Sequence, residues 1–338
     1  MATEIRIEKD SNIVDVVLAE ARHERIDSDV RKNANKLLRD LASDPNPNNK
    51  YQISQLVKFA VNDIIKRDTN YLDVLADVKR VGFGDKAEFD VKLPGIKAFI
   101  QAKGATTPRT KNAHKTVSLE TLSVSARPVI NIVEIQNGLA NAADVINDAS
   151  FQMECAMNGF IANVLTTAAA TWNSPYYGTG SGLVKATLDP MVMHWIRTGG
   201  AAIFGDIGEN AKLAQLTGFV ANATAGTMQF SGNIIDEQNR NGVIGTYLSS
   251  QVVNLVNPLK EDGTDGYLFD QKKLFIVPTA IDPGMRPLKV VFEGDVFSTE
   301  ATNINDLSWE IRLDQYFNAA IAKGVRPYLS MYADSSVG

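Results

Sequence analysis

One cysteine, Cys155, is all that the 338-residue chain contains. A single thiol closes no intrachain disulfide, so stability must come from packing, and a reducing compartment is the expected setting. Histidine is nearly as scarce. His23, His114 and His194 lie in separate segments, with no HExxH or other paired spacing that gathers metal ligands. Positive charge is not in excess: 34 Lys and Arg against 39 Asp and Glu leave a net charge of -5 at pH 7. A chain so balanced offers no dedicated phosphate-neutralising surface. No apolar run is long enough to span a bilayer, so no membrane partner is expected. The first 30 residues mix Glu4, Arg6, Glu8, Lys9, Asp10, Asp15 and Glu20 with short apolar patches, and no signal peptide is expected.

Catalytic signatures are missing as well. The run Gly178-Thr179-Gly180-Ser181-Gly182 lacks the Lys-Ser/Thr of a P-loop and the GxGxxG spacing of a dinucleotide fold, and reads as a flexible connector. Asp262, Asp265 and Asp270 surround Gly263 and Gly266 without the alternating ligands and distal Glu of a calcium loop, and read as a polar turn. Cys155 falls inside a helical pattern that favours packing over nucleophilic chemistry. No hydrolase elbow or kinase motif is present. The expectation is therefore no catalytic residue, no cofactor and no metal.

What the chain does have is one long periodic stretch, Leu139 to Ala169. Leu139, Ala142, Ile146, Ala149, Met153, Met157, Phe160, Val164 and Ala168 recur at spacings of three and four, one stripe of a helix. Ile146, Met153, Met157, Phe160 and Val164 are its expected core. Asn137 or Asn141 is the expected cap, with Asp144 in the first turn, where a carboxylate favours the helix dipole. About 30 residues make a rod of roughly 45 Å, longer than a compact globule of this size usually needs.

The remaining pattern is α+β. With 44% hydrophobic residues the chain can bury two or three packing units. Residues 1–50 read as a helical arm whose narrow stripe (Ile26, Val30, Ala34, Leu37, Leu41) cannot enclose a core, and Asp44-Pro45-Asn46-Pro47-Asn48-Asn49 ends it. Its basic residues read as a solvated face balanced by Glu20, Glu24, Asp27 and Asp40. Ser54 looks like the cap of a second helix that runs to Lys66-Arg67-Asp68, with Tyr71, Leu72, Leu75 and Val78 continuing its apolar spacing. Ala87, Phe89, Val91 and Leu93 then alternate with charged residues as on a strand, Pro94-Gly95 turns, and residues 96–102 return as a second strand. Residues 103–114 hold almost no apolar side chain and form an exposed tip. Val117, Leu119, Leu122, Val124 and Ala126 alternate again. Later expectations are a short helix opened by Asp189-Pro190 and stopped by Gly199-Gly200, another over residues 210–216, one or two strands in 243–256, and a buried strand at Leu274 to Pro278. Three late strands centre on Leu288/Val290/Phe292, Trp309/Ile311/Leu313/Phe317 and Val325/Tyr328/Met331.

This order of elements resembles the major capsid protein of tailed bacteriophages, the Hong Kong 97-type fold. The likeness is carried by the arm, the loop with KAFIQAKGATTPRT near its tip, the junction SVSARPVINIVEIQNG, the long helix after it, and LSWEIRLDQYFNAAIAKGVRPYL near the end. The resemblance implies an N-terminal arm (1–50), peripheral-domain helices (51–82), an extended loop (83–117), a peripheral domain with a spine helix (118–187), an axial domain (188–288) and a return to peripheral strands (289–338). It implies self-assembly through pentamers and hexamers into an icosahedral shell around double-stranded DNA, bound without sequence-specific contact. Scaffolding, portal and decoration proteins are the further partners, the virion is the location, and the host cytoplasm is the place of assembly. Lys103, Thr107, Pro108, Arg109 and Lys111 at the loop tip are the expected assembly residues. Some members cross-link a loop lysine to a neighbouring asparagine; Lys97, Lys103, Lys111 and Lys115 are present here, and no cross-link is assigned. An encapsulin-like compartment shell, or an enzyme whose site is scattered over residues 178–288, are the alternatives.

Overall fold

The computed structural model describes residues 47–68, 72–93, 98–100, 106, 108–111, 113–131, 142–213, 216, 244–255, 257, 266–267, 270–302, 308–322 and 326–336, together with residues 16, 19, 29, 32, 33, 36 and 40 of the arm, all seven helical. Helix α1 spans Pro47–Asp68. It opens on proline, whose fixed φ suits the first helical position. Ser54 is therefore not the cap expected from its side chain: it lies two turns inside the helix and is buried. A four-residue helix α2 (Leu72–Leu75) leads straight into strand β1 (Ala76–Val81), where the sequence pattern had suggested more helix.

The first sheet runs β1, β11 (Leu288–Thr302), β12 (Ser308–Ile321), β4 (Leu122–Ala126), with β5 (Val129–Asn131) also on β12. Its two long strands come from the last fifth of the chain. β1 joins parallel to β11, Ala76 opposite Leu288 and Val81 opposite Glu293, while the other pairings are antiparallel. Alternation sets the faces. Leu288, Val290 and Phe292 of β11 and Ile311, Leu313, Phe317 and Ala319 of β12 join one core with Leu56, Val57, Val61 and Ile65 of α1 and Ile146, Met153 and Met157 of the long helix. Burying each such side chain stabilises by about 1.5–3 kcal/mol.

That long helix, α3, spans Ala142–Ala169. The caps proposed at Asn137 and Asn141 lie outside the described residues. Ile146, Met153 and Met157 are buried, as are Ile161, Leu165 and Ala169, whereas Phe160 and Val164 are only half-buried. After Met157 the contact line thus follows steps of four residues instead of the mixed threes and fours of the sequence stripe. Such a row is inclined to the helix axis, and the core follows it where the helix crosses the sheet. Phe160 still contributes, meeting Phe317 edge to face at 5.9 Å between ring centres.

The second sheet runs β6 (Tyr177–Gly180), β13 (Ser330–Asp334), β10 (Lys273–Pro278), β7 (Ala201–Gly205), β9 (Ser250–Asn254), β8 (Thr246–Tyr247). β10 is covered on both faces. Phe275 and Val277 belong to the core shared with α3, and Leu274 and Ile276 to a second core under helix α4 (Lys185–Ile196), with Leu188, Met191, Val192 and Trp195. Two strands thus come from outside residues 188–288. Gly178 and Gly180 belong to strand β6, not to a flexible connector: a Cβ on Gly178 would meet Thr187 and Met191, and one on Gly180 the Tyr332 hydroxyl. Glycine there permits close packing against α4. Pro190 lies inside α4 and does not open it; the stop falls at Gly199 (φ 123) and Gly200 (φ 139) as the sequence suggests. Helix α5 (Ile207–Leu213) begins three residues before the expected start, where Asp206 Oδ1 accepts the Gly208 N–H at 2.8 Å.

Candidate assembly surfaces

Strands β2 (Ala87–Leu93) and β3 (Ala113–Leu119) form a two-stranded sheet of their own, Ala87 opposite Leu119 and Leu93 opposite Ala113. The return strand is therefore β3. Residues 98–100, expected to pair within 96–102, carry no strand. The reason lies in the spacing: Val117 and Leu119 alternate in phase with Phe89 and Ala87, which they face. The first strand of this hairpin is packed as far out as Val91, which is buried. Ala87 and Phe89 are buried against Val291 of β11, with Val81 and Leu119 alongside. Two ammonium groups flank the Phe89 ring, Lys79 at 5.0 Å and Lys289 at 5.6 Å from its centre, an electrostatic attraction of about 0.5–2 kcal/mol each.

Further out the side chains meet solvent. Phe99 and Ile100 are 43% and 106% exposed. Pro108, Arg109 and Lys111 of the proposed tip are exposed, as is Lys115; Lys103 and Thr107, like Lys97, lie outside the described residues. A two-stranded ribbon is marginal alone, so its exposed part calls for contacts from elsewhere.

The body holds the hairpin base through polar groups that the sequence reading did not single out. Glu293 Oε1 accepts the Gly84 N–H at 2.8 Å and its Oε2 accepts the Thr121 hydroxyl. Those two bonds hold the Glu293 carboxyl below the usual glutamate range. The Asn318 amide donates to Glu120 O. On the same face Asp314 Oδ1 accepts from Ser123 (2.9 Å) and Ser125, and Arg312 adds an ion pair at 2.9 Å.

A groove of about 560 Å³ lies between β4–β5 and α3, with Val124, Ala126 and Pro128 on one side and Val145, Asp148 and Gln152 on the other. Cys155 is half-buried on α3.

Beside the second sheet, α5 and β13 share an ion-pair cluster. Lys212 Nζ bridges Glu209 Oε2 (2.6 Å) and Asp334 Oδ2 (2.9 Å). Burial pushes the Glu209 carboxyl up despite the lysine. Asp334 is held well below the usual range by Lys212 and the N–H groups of Ser336 and Gly182, against its desolvation. His194 stacks edge-on with Tyr176 and Trp195, and burial lowers its pKa. His23 lies outside the described residues, and His114 sits in β3. Asp270 pairs with Lys273 at 2.7 Å, as suits a polar turn; Asp262 and Asp265 lie outside the described residues. Among the described residues, no group of three or more His, Cys, Asp or Glu is placed to hold a metal ion, and no helix is long and apolar enough to cross a membrane.

The mature capsid of bacteriophage PhiM1 shares the fold, with a TM-score of 0.51 at 10% identity over 78% of this chain and 87% of that one. A virus-like particle from Pyrococcus furiosus is similar over 82% of this chain and 98% of its own, with 13% identity and a TM-score of 0.47. No curated protein sequence matches the chain. The family model described as "SPbeta prophage-derived putative capsid protein YonB" matches residues 5–327. With that match spanning nearly the whole sequence, on a framework of two-stranded hairpin, long helix and two sheets, the chain belongs to the YonB family of phage capsid proteins and has the Hong Kong 97-type capsid fold.

Proposed function

We propose that this chain is the major capsid protein of a tailed phage, assembling through pentamers and hexamers into an icosahedral shell around double-stranded DNA. The observation that carries the reading is the capsid family match over residues 5–327 together with a hairpin that exposes Phe99, Ile100, Pro108, Arg109 and Lys111. The first sheet with α1 and α3 is the peripheral unit. The second sheet with α4 and α5 is the axial unit, lining the centre of each ring and including β6 and β13. The hairpin tip, with Lys103, Thr107, Pro108, Arg109 and Lys111, and the arm reach over adjacent copies, whose contacts offset the cost of ordering them. Repeating one modest contact through a closed shell gives cooperative stability without disulfides. Packaged DNA is held without base-specific contact, in keeping with the net charge of -5. The shell forms in the host cytoplasm with a scaffold, a portal and decoration proteins, and its role there is structural.

Negative-stain electron microscopy of the full chain, expressed alone and with the neighbouring virion genes, tests this. Closed shells, tubes or capsomer rings are expected. A chain that stays monomeric under both conditions overturns the reading.

A further inference from the structure

Two segments connect the hairpin to the body: residues 82–86 between β1 and β2, and residues 120–121 between β3 and β4. One carboxylate holds both. Glu293 takes the Gly84 N–H on one oxygen and the Thr121 hydroxyl on the other. Its backbone marks the point where β11 loses register with β12, between Glu293 and Phe297, so the latch stands at an irregularity of the strand. Gly84 has φ 86 with nothing within 4 Å of an added Cβ, so glycine is needed there for its backbone conformation and not for space. The adjoining Gly294 (φ 64) lies against Phe83, which is 76% exposed and meets the Tyr316 ring at 5.6 Å.

We infer that Glu293 is a positioning residue that sets the angle at which the hairpin leaves the body, and through that angle the geometry of contact between copies. The second half rests on the assembly reading above; the first does not. Two polar bonds at a partly exposed carboxylate can open while the core under β11 stays intact, because Phe292 and Val290 face the helices and Glu293 faces away from them. These bonds act on the two connectors in addition to the apolar contact of Ala87 and Phe89 with Val291, which holds the base itself.

The test uses the full chain and its E293A, E293Q and T121V variants, with hydrogen exchange read amide by amide and particle diameters read by electron microscopy. In E293A, exchange at Gly84 and across residues 119–122 should rise at least tenfold while the α3 amides keep wild-type protection, and particle diameters should broaden. E293Q should restore both, since its carbonyl still accepts from Gly84 and its amide donates to Thr121 Oγ1. T121V, which removes one bond of the two, should give an intermediate rise and remains readable if E293A does not fold. Unchanged exchange at Gly84 in E293A, or across residues 119–122 in T121V, overturns the latch. Faster exchange with unchanged diameters overturns its part in assembly. A wild-type chain that forms no particles counts against the capsid reading alone, since the exchange measurement on the soluble subunit still decides the latch.

Discussion

Lys289 and Asp77 form an ion pair at 2.8 Å across the parallel strands β11 and β1, with the lysine side chain only 1% exposed. The ammonium also donates to Gly284 O at 2.8 Å. Removing one partner of such a pair leaves an uncompensated buried charge, at about 3–5 kcal/mol. D77L and K289M should each lower the unfolding free energy of the soluble subunit, read from urea titration, by that order, and the double variant should recover most of the loss. Additive losses would show that the two charges act independently.

Met153 is 1% exposed on the spine. M153D should abolish the native fold, and M153A should cost about 2–5 kcal/mol. Circular dichroism and yield of soluble protein check both. A soluble, normally assembling M153D would place the buried face elsewhere.

At Gly178, substitution by valine should destabilise by about 1–3 kcal/mol or more through overpacking against α4, since even a Cβ would stand 2.7 Å from Thr187 and 2.8 Å from Met191. Thermal melting of G178V gives the answer, with G182V as a contrast: there the space is open and the positive φ of 76 is the only obstacle.

The Lys212 bridge makes opposite pH predictions for its two carboxylates. Asp334 is depressed, so its contribution is present above the unfolded value near 3.8 and is lost as pH falls below it. D334N should be less stable than wild type at pH 7, and the gap should narrow only under acid conditions below that value. Glu209 is raised, so its contribution is greatest at low pH and declines as pH rises past 4.5. The advantage of wild type over E209Q should therefore shrink from pH 4 to pH 7. Urea titrations across pH 3–8 separate the two.

For the hairpin, R109A/K111A changes two exposed side chains. The subunit should melt within about 0.5 kcal/mol of wild type, as surface changes do, while assembly yield by sedimentation falls. Equal yields would remove these two residues from the contact.

The long helix and the hairpin's first strand are legible in sequence because each keeps a single period, and β10 because it is a short unbroken apolar run ending at proline. β1 is not. Val78 continues the spacing of Leu72 and Leu75, and the strand exists because Ala76 to Val81 pair with Leu288 to Glu293, 212 residues later. Gly178 and Gly180 likewise read as a linker until Tyr332 and Met191 supply the reason for a missing Cβ. The tip residues could be named from polarity, but the polar hold on the hairpin base could not. Glu293, Thr121 and Asn318 are ordinary surface types whose meeting depends on the register of β11 and β12. Asp206 was within reach, since an aspartate directly before Ile207 is a cap signal.

The strands on which the first sheet is built arrive last. α1, β1, β4 and α3 all wait for residues 288–321 before their apolar faces are covered. During synthesis, therefore, most of the chain emerges from the ribosome without the surface it needs, and folding proceeds by long loop closures instead of growing from the start. A chain broken off before Leu288 lacks β11 and β12 altogether, and with them the strands that β1, β4 and β5 pair with. The first sheet therefore closes only once the chain through Ile321 is available.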